Sequence, residues 1–402
     1  MKILILTQYY PPETGAPQNR LSSLAIHLKS FGNSVEVLTA MPNYPKYEIF
    51  PEYKQKKYIR ENIEDITVHR SYIYVGKSKG TIHRLMNYFS FAISSYRNAA
   101  KKIEPAEVII CESPPLFLGI TGVWLKKKWK CKLVFNVSDL WPESAEKLGI
   151  IKNKLLLKTA HRLAGWIYKN ADLITGQTKG ILEAIKKIMP GKKMYWLPNG
   201  VDVDKFEYTA ATNGNGKSNG KFSLLYAGII GHAQGLEVIL HAADKLKSHN
   251  YISFYIIGDG PVKDSLVQLR NDLDLPNVSF ISNQPGHAII QWLHKCDAYI
   301  VPLRKIDLFK GAIPSKLFEP LAIGKPILLG VEGEARELFI DEAEGGLFFE
   351  PENAAELSDA VLKLYHNRRF AEELGTKGKE YVHKNFSRHN IALSFWEELQ
   401  NL

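Results

Sequence analysis

The amino-acid sequence predicts two consecutive doubly wound α/β domains. At 402 residues the chain exceeds what one ordinary hydrophobic core holds. Short continuous apolar runs alternate with stretches of helical periodicity, the pattern of a parallel sheet covered on both faces. That pattern breaks after Pro198-Asn199-Gly200 and restarts at Phe222, as if a second chain began there.

Ile3 to Leu6 is the first buried-strand run. A loop of turn formers, Pro11 to Pro17, contains Gly15 and leads into Leu21, Leu24, Ala25 and Leu28 at helical spacing, with Gly32 as the stop. Val35 to Leu38, Val68 to Val75, Val108 to Cys111, Lys132 to Val137 and Asp172 to Thr175 are the remaining strands expected in the first half. Thr209 to Lys221 is polar and rich in Gly and Asn, which predicts a flexible surface loop. The second half has expected strands at Phe222 to Gly228, Ile252 to Ile257, Val278 to Ile281, Ala298 to Val301, Pro326 to Leu329 and Gly346 to Phe349. The expected domains are therefore 1–198 and 199 onward, with a ligand cleft at the carboxyl ends of both sheets.

A composition of 45% hydrophobic and 23% charged residues suits a folded, soluble chain. The formal charge of +10 favours an anionic partner: a nucleotide diphosphate, a lipid pyrophosphate, an anionic membrane or nucleic acid. No nucleic-acid recognition motif accompanies that charge, so nucleic acid is not an expected partner. Cys111, Cys131 and Cys296 lack metal-like spacing and read as buried thiols of a reducing compartment. The chain starts directly on a strand, with no secretory leader, and no apolar run reaches the about 18 residues that span a bilayer. A cytoplasmic protein, at most peripheral at the inner face of the cell membrane, is expected.

In the second half, Tyr226-Ala227-Gly228-Ile229-Ile230-Gly231-His232-Ala233-Gln234-Gly235 sets three glycines between a strand and a helix expected near Gly235. Glycines there let backbone approach a pyrophosphate; the same spacing also suits a tight turn. Gly258-Asp259-Gly260-Pro261 reads first as a turn. The richest segment is Lys310-Gly311-Ala312-Ile313-Pro314-Ser315-Lys316-Leu317-Phe318-Glu319. Pro314-Ser315 is expected to start and cap a helix whose first amides, with Lys316, can hold phosphate; a capped helix with a surface salt bridge fits the same residues. Glu319, one turn on, can accept from both hydroxyls of a ribose.

In the first half, Asp139 follows the strand ending at Val137 and can take a proton from an attacking hydroxyl, or cap the following turn. Glu112 is a weaker acid/base candidate, and Glu143 lies on the same acceptor side. Asp202-Val203-Asp204 and Asp272-Leu273-Asp274 lack the strand-edge setting of a metal site, so no metal and no cofactor are expected. Thr81 to Lys102 places Ile82, Leu85, Met86, Phe89, Ile93 and Tyr96 at helical spacing beside Arg84, Arg97, Lys101 and Lys102. With Trp124, Trp129 and the lysines at 126–128 and 130, this suits either an interfacial helix on an anionic bilayer or a core-facing helix with solvated charges.

Taken in order, TQYYPPETGAPQNRLSSLAIHL, ADLITGQTKGILEAI, LPNGVDVDKF, LLYAGIIGHAQGLEVIL, IIGDGP and SKLFEPLAIGKPIL resemble glycosyltransferase family 4 over essentially the whole chain. VSDLWPES with FKGAIPSKLFEPLAIGKPIL is similar to the L-fucosamine transferase branch of O-antigen and capsule assembly. The resemblance implies the GT-B fold, two Rossmann-like domains facing each other across a cleft. It implies acceptor binding by 1–198, nucleotide-sugar binding by 199–384, and a segment 385–402 returning to the N-terminal domain through Ile391, Leu393, Phe395, Trp396 and Leu399.

The resemblance further implies a retaining, metal-free transfer from a nucleotide-diphosphate sugar and favours UDP over GDP, while the basic, apolar surface of the first half is expected to dock a polyprenyl-diphosphate-linked saccharide. Gly15 matches the glycine that approaches the donor diphosphate, Glu319 the ribose-binding glutamate, and Asp139 the place of an active-site histidine. Three positions depart from the pattern. Ile229 and Gln234 stand where Arg and Lys are usual, and Gly311 replaces the first of two glutamates eight apart. Lys316, Lys310 and amides near Ser315 are the replacements at hand. The expected site is thus Asp139, Lys316 and Glu319 for catalysis, with Gly15, Gly228, Gly231, Gln234, Gly258, Lys310, Ile313, Pro314 and Ser315 around the donor. Two other readings fit the architecture, a UDP-sugar 2-epimerase and a non-enzymatic sugar-binding protein. An epimerase would convert a UDP-sugar without releasing UDP.

Overall fold

In the computed structural model, which describes residues 1–45, 47–76, 81–147, 153–204 and 221–402, the chain divides into two compact units. Residues 1–199 with 388–402 form one, and 200–387 the other. The side chains of Ile82 and of four other residues fall outside that description, as does the loop expected at Thr209 to Lys221, apart from Lys221 itself.

The first unit is built on an eight-stranded sheet. Its strands are β1 (Lys2–Leu6), β2 (Ser34–Ala40), β3 (Tyr58–Ile63), β4 (Ile66–Ser71), β5 (Val108–Ser113), β6 (Lys132–Val137), β7 (Leu173–Gly176) and β8 (Met194–Trp196). They lie in the order β3-β4-β2-β1-β5-β6-β7-β8, all parallel except β3. The central β1, β5 and β6 are nearly continuous Ile, Leu, Val and Phe because helices cover both of their faces.

The structure departs from sequence expectation at the sheet's edges. The expected strand Val68 to Val75 leaves the sheet at Ser71, and β3 precedes it as an antiparallel partner. Glu64 and Asp65 both take positive φ (49° and 62°), which makes the tight two-residue hairpin between them. Arg60, Glu61 and Asn62 keep β3 polar, as an edge strand should be, and so conceal it from an apolar-run reading. The three-residue β8 is hidden by its brevity.

The helix Arg388–Gln400 belongs to this first unit. Phe395 is fully buried, 5.8 Å from the Tyr195 ring, and Trp396 lies 5.6 Å from Phe31. Burying one such aromatic contributes about 2–3 kcal/mol.

The second unit carries a six-stranded, wholly parallel sheet. Its strands are β9 (Phe222–Ala227), β10 (Ile252–Ile257), β11 (Val278–Ile281), β12 (Ala298–Pro302), β13 (Ile327–Gly330) and β14 (Gly346–Phe348). Their order is β11-β10-β9-β12-β13-β14, so the chain reverses direction across the sheet beside β9. Such a switch point is where doubly wound sheets take ligands. Phe222, Leu224, Tyr226, Phe254 and Ile256 make the core under the helices Glu237–Lys245 and Ala354–His366.

Candidate active site

At the switch point the loops after β9 and β10 meet with no side chain between them. Gly228 (φ 142°) and Gly258 (φ 148°) both need the left-handed half of backbone space. A Cβ on Gly258 would overlap the Gly228 carbonyl oxygen, and one on Gly228 would come within 2.5 Å of Lys316 Nζ. Hydrogen bonds lock the pair: Gly228 N–H donates to Ile257 O at 2.9 Å and Ile230 N–H to Asp259 O at 2.9 Å. These loops are therefore shaped by backbone contact as well as by turn geometry.

Lys316 lies over Gly228, the residue that opens the first of these loops. Its ammonium donates to the Tyr226 hydroxyl and stands 4.3 Å from that ring's centroid. Tyr226 in turn donates to Ile229 O at 2.6 Å. Burial pushes the Lys316 pKa down to about 7. A half-buried cation whose hydrogen-bond acceptor among the described residues is a neutral phenol is poised to gain an anion.

The other expected donor residues stand less favourably. Ser315 makes no capping bond; the chain there is a 3₁₀ turn, Ser315–Leu317, entered from Pro314 and followed by the five-residue helix Phe318–Ala322. The expected capped helix is thus too short for a substantial dipole, and the weight shifts to Lys316. Ile313 is half-buried in the link before it. Lys310 is already paired with Asp307 at 2.9 Å and Glu332 at 3.8 Å. The helix expected near Gly235 starts at Glu237, after a 3₁₀ turn His232–Gln234. Gln234 folds back towards Gly231, whose added Cβ would lie 2.8 Å from Gln234 Oε1. Glu319 is exposed on the short helix, three residues beyond Lys316.

Sequence reading did not single out Arg304. Its Nε donates to His232 O at 2.7 Å, its backbone N–H to Ala233 O at 3.0 Å, and Nη2 pairs with Glu237 at 2.9 Å. It fixes the loop that contains Gln234.

In the first unit, Gly15 is the N-cap of the helix Ala16–Ser30, in extended backbone that any residue adopts. An added Cβ there would meet only the flexible end of Gln18. Asp139 accepts from Ser144 Oγ at 2.6 Å. Dense surroundings raise its pKa, the Ser144 and Leu140 bonds oppose the rise, and Glu143 adds to it. Asp139 is nonetheless an exposed residue, so water screens much of that penalty. Glu143 Oε2 is buried with no hydrogen-bond partner among the described residues, while Oε1 lies 3.5 Å from His161.

Glu112 stands differently. It is 2% exposed, and its oxygens are taken by Arg20 at 2.7 Å, Asn136 at 2.6 Å and the Ser138 hydroxyl. Thr175 holds Asn136 at 2.6 Å, and with the Gln177 amide turned so that its oxygen faces Arg20, that oxygen accepts from Arg20 Nε at 2.8 Å. This network joins the ends of β5, β6 and β7 to the first helix. It occupies the Glu112 oxygens and leaves Asp139 as the more open carboxylate. Arg20 was invisible as a partner because 92 residues separate it from Glu112.

Among the described residues no three His, Cys, Asp or Glu side chains gather as a metal cluster, and no helix is long and apolar enough to cross a membrane.

Two families match successive parts of the chain: "Glycosyltransferase Family 4" over residues 18–205 and "Glycosyl transferases group 1" over residues 208–381. The chain is 28% identical, over the full length of both, to the putative colanic acid biosynthesis glycosyl transferase WcaI of Escherichia coli (strain K12). Among solved structures it is similar to sucrose-phosphate synthase of Thermosynechococcus elongatus, with TM-score 0.75, 15% identity and coverage of 100% and 98%. It is likewise similar to Anabaena HepE in complex with UDP and glucose, with TM-score 0.72 and 16% identity over all of both chains.

Proposed function

We propose that this chain, a glycosyltransferase of the GT-B type, moves a sugar, with retained anomeric configuration, from a UDP-sugar to a polyprenyl-diphosphate-linked saccharide during assembly of a surface polysaccharide. N-acetyl-L-fucosamine or a related amino sugar is the donor sugar of this reading. The observation that carries it is the Lys316 ammonium held over the glycine loops of the second unit, with the neutral Tyr226 phenol as its hydrogen-bond acceptor among the described residues.

A diphosphate placed on those loops supplies the charge that Lys316 lacks. Because β-phosphate charge grows as the sugar leaves, an ammonium fixed there stabilises the transition state more than the bound donor. Glu319 then holds the ribose hydroxyls as a double acceptor. On the acceptor side, Asp139 orients the attacking hydroxyl, and the departing phosphate oxygen takes its proton on the same face. Ile229 and Gln234, where cations are usual, are consistent with Lys316 carrying this duty alone.

The lipid-linked acceptor is supported by one face of the first unit. Met86, Phe89, Ile93 and Trp124 are 41–47% exposed on the helices Thr81–Lys102 and Leu118–Trp129, which meet through Phe89–Phe117 and Tyr96–Trp124 ring contacts. Lys101, Lys127 and Lys128 are exposed on the same helices, although Lys126 is spent on Asp172. Exposed aromatics with lysines suit peripheral contact with an anionic bilayer.

Glu319→Ala is expected to weaken UDP binding about tenfold in calorimetry, with the melting temperature unchanged. Undiminished affinity would remove Glu319 from the site. Release of UDP only when a lipid-linked acceptor is present separates transfer from epimerisation.

A further inference from the structure

The loops that follow β1 and β2 are tied together by buried charges. Glu13, 3% exposed, accepts main-chain N–H groups from Asn43 at 2.7 Å, Tyr44 at 2.8 Å and Tyr10 at 3.3 Å. Burial raises its pKa, and those three bonds pull it back. Arg70, fully buried, donates to the carbonyls of Pro11 and Ala40 and pairs with Glu61. Taking such groups out of water is costly until their bonds offset it. Both spend their bonds largely on loop backbone. Ties of this kind fix a loop's shape, which a binding surface requires and a plain connection does not.

The tied loops display tyrosines. Tyr9 and Tyr44 meet edge to face with centroids 5.8 Å apart, and Tyr44 and Tyr47 at 6.3 Å. Tyr47 is 50% exposed, while Tyr9 and Tyr44 are half-buried. Gln8 Nε2 bridges the Tyr9 hydroxyl at 3.2 Å and Asn87 Oδ1 at 3.1 Å, bringing the helix Thr81–Lys102 and its Tyr88 alongside. Burial first, then the phenols of Tyr88 and Tyr47, raises the Tyr9 pKa, so its hydroxyl stays a neutral donor.

We infer that Tyr9, Tyr44, Tyr47 and Tyr88 form a subsite for one pyranose ring of the acceptor saccharide. A pyranose has an apolar face of C–H groups and a rim of hydroxyls. Tyrosine offers the matching pair, an apolar ring with a polar tip and little rotamer entropy to lose. The amides of Gln8 and Asn87 beside them are neutral, as a neutral polyol requires. The position, at the carboxyl ends of β1 and β2, is where a sheet of this kind takes ligands. The subsite rests on the transfer reading above for its place in the reaction.

The test uses the full chain and ligand-observed NMR, with the methyl glycosides of glucose, galactose and N-acetylglucosamine as probes. Saturation is expected to reach ring C–H protons of at least one glycoside. Tyr47→Ala should weaken that binding about fivefold, and Tyr47→Phe should preserve it. UDP titrated into the same samples should bind all three proteins equally. No transfer to any glycoside in the wild type, or equal transfer in Tyr47→Ala, overturns the subsite. Failure of UDP to bind the wild type overturns the donor reading instead, whatever the glycosides do.

Discussion

In the second unit the candidate donor loops are packed backbone against backbone, whereas in the first unit the loops proposed to hold the acceptor are fastened by buried side-chain charges. Gly228 and Gly258 touch with nothing between them, and a single ammonium lies above. Opposite in kind, Glu13, Arg70, Arg20 and Glu112 spend buried charge on holding coil and strand ends in place. The contrast has a physical reason. A diphosphate is small, symmetric and charged, so main-chain amides and one cation suffice for it. The pyranose ring of the proposed subsite is a neutral polyol told apart by shape, which needs rigid side chains on fixed loops.

The contrast breaks most visibly if the ionic scaffold is cut. Arg20→Ala leaves Glu112 buried beside Asn136 and Ser138 with no cation. Removing one partner of a buried pair costs about 3–5 kcal/mol, which lowers the melting temperature of a unit this size by roughly 10 °C. Thermal unfolding followed by circular dichroism measures it. Melting within 2 °C or so of the wild type would mean that the network decorates the fold and does not hold it.

How much of this could be read from the sequence follows the same division. The glycines of the second unit are local: a strand, two or three residues, then a turn, and the reason for each glycine lies within its own motif. Gly258 was open to a turn reading until its contact with Gly228 gave it a second purpose. Tyr226 stood inside the same motif but was passed over, because nothing in a strand residue shows that a lysine 90 positions later rests on it. The buried parallel strands were legible from apolar runs, whereas β3 was not, since an edge strand is polar by necessity. Arg20–Glu112 and Glu13–Tyr44 were beyond reach for a plainer reason. Each joins residues from different elements, and a lone Arg or Glu in a sequence looks the same whether solvated or paired. Ser315 misled because the cap residue type was right while the segment after it is too short to need one.

Removing the cation of the second unit sharpens the contrast next. Lys316→Met keeps the length and apolar packing of the stem but deletes the ammonium. A charge-assisted contact to phosphate contributes about 2–3 kcal/mol, so UDP affinity should fall roughly thirtyfold to a hundredfold. The melting temperature should hold or rise, because a poorly solvated charge has gone. Calorimetric titration of both proteins with UDP decides it. A Lys316→Met chain that binds UDP as well as the wild type returns the diphosphate to Lys310 or to the amides alone.

The smallest effect is the most specific to this site. With its pKa pushed down to about 7 by burial, Lys316 in the free protein is charged below neutral pH and uncharged above it. A bound diphosphate favours the charged form, so above pH 7 donor binding must draw a proton from solution. UDP affinity should then be flat below about pH 7 and fall by up to about tenfold per unit from pH 7 to 9. Folding responds with the opposite sign. Between about 7 and the ordinary lysine value of 10.5 the unfolded chain still holds the proton that the folded one has lost, so stability gains with pH across that window. Donor affinity and thermal stability should therefore diverge as the solution turns alkaline, and both slopes should vanish in Lys316→Met. A wild-type UDP affinity that is level from pH 6 to 9 would show that Lys316 takes up no proton on binding, being either charged already in the free protein or clear of the anion, and the Lys316→Met titration tells these two apart.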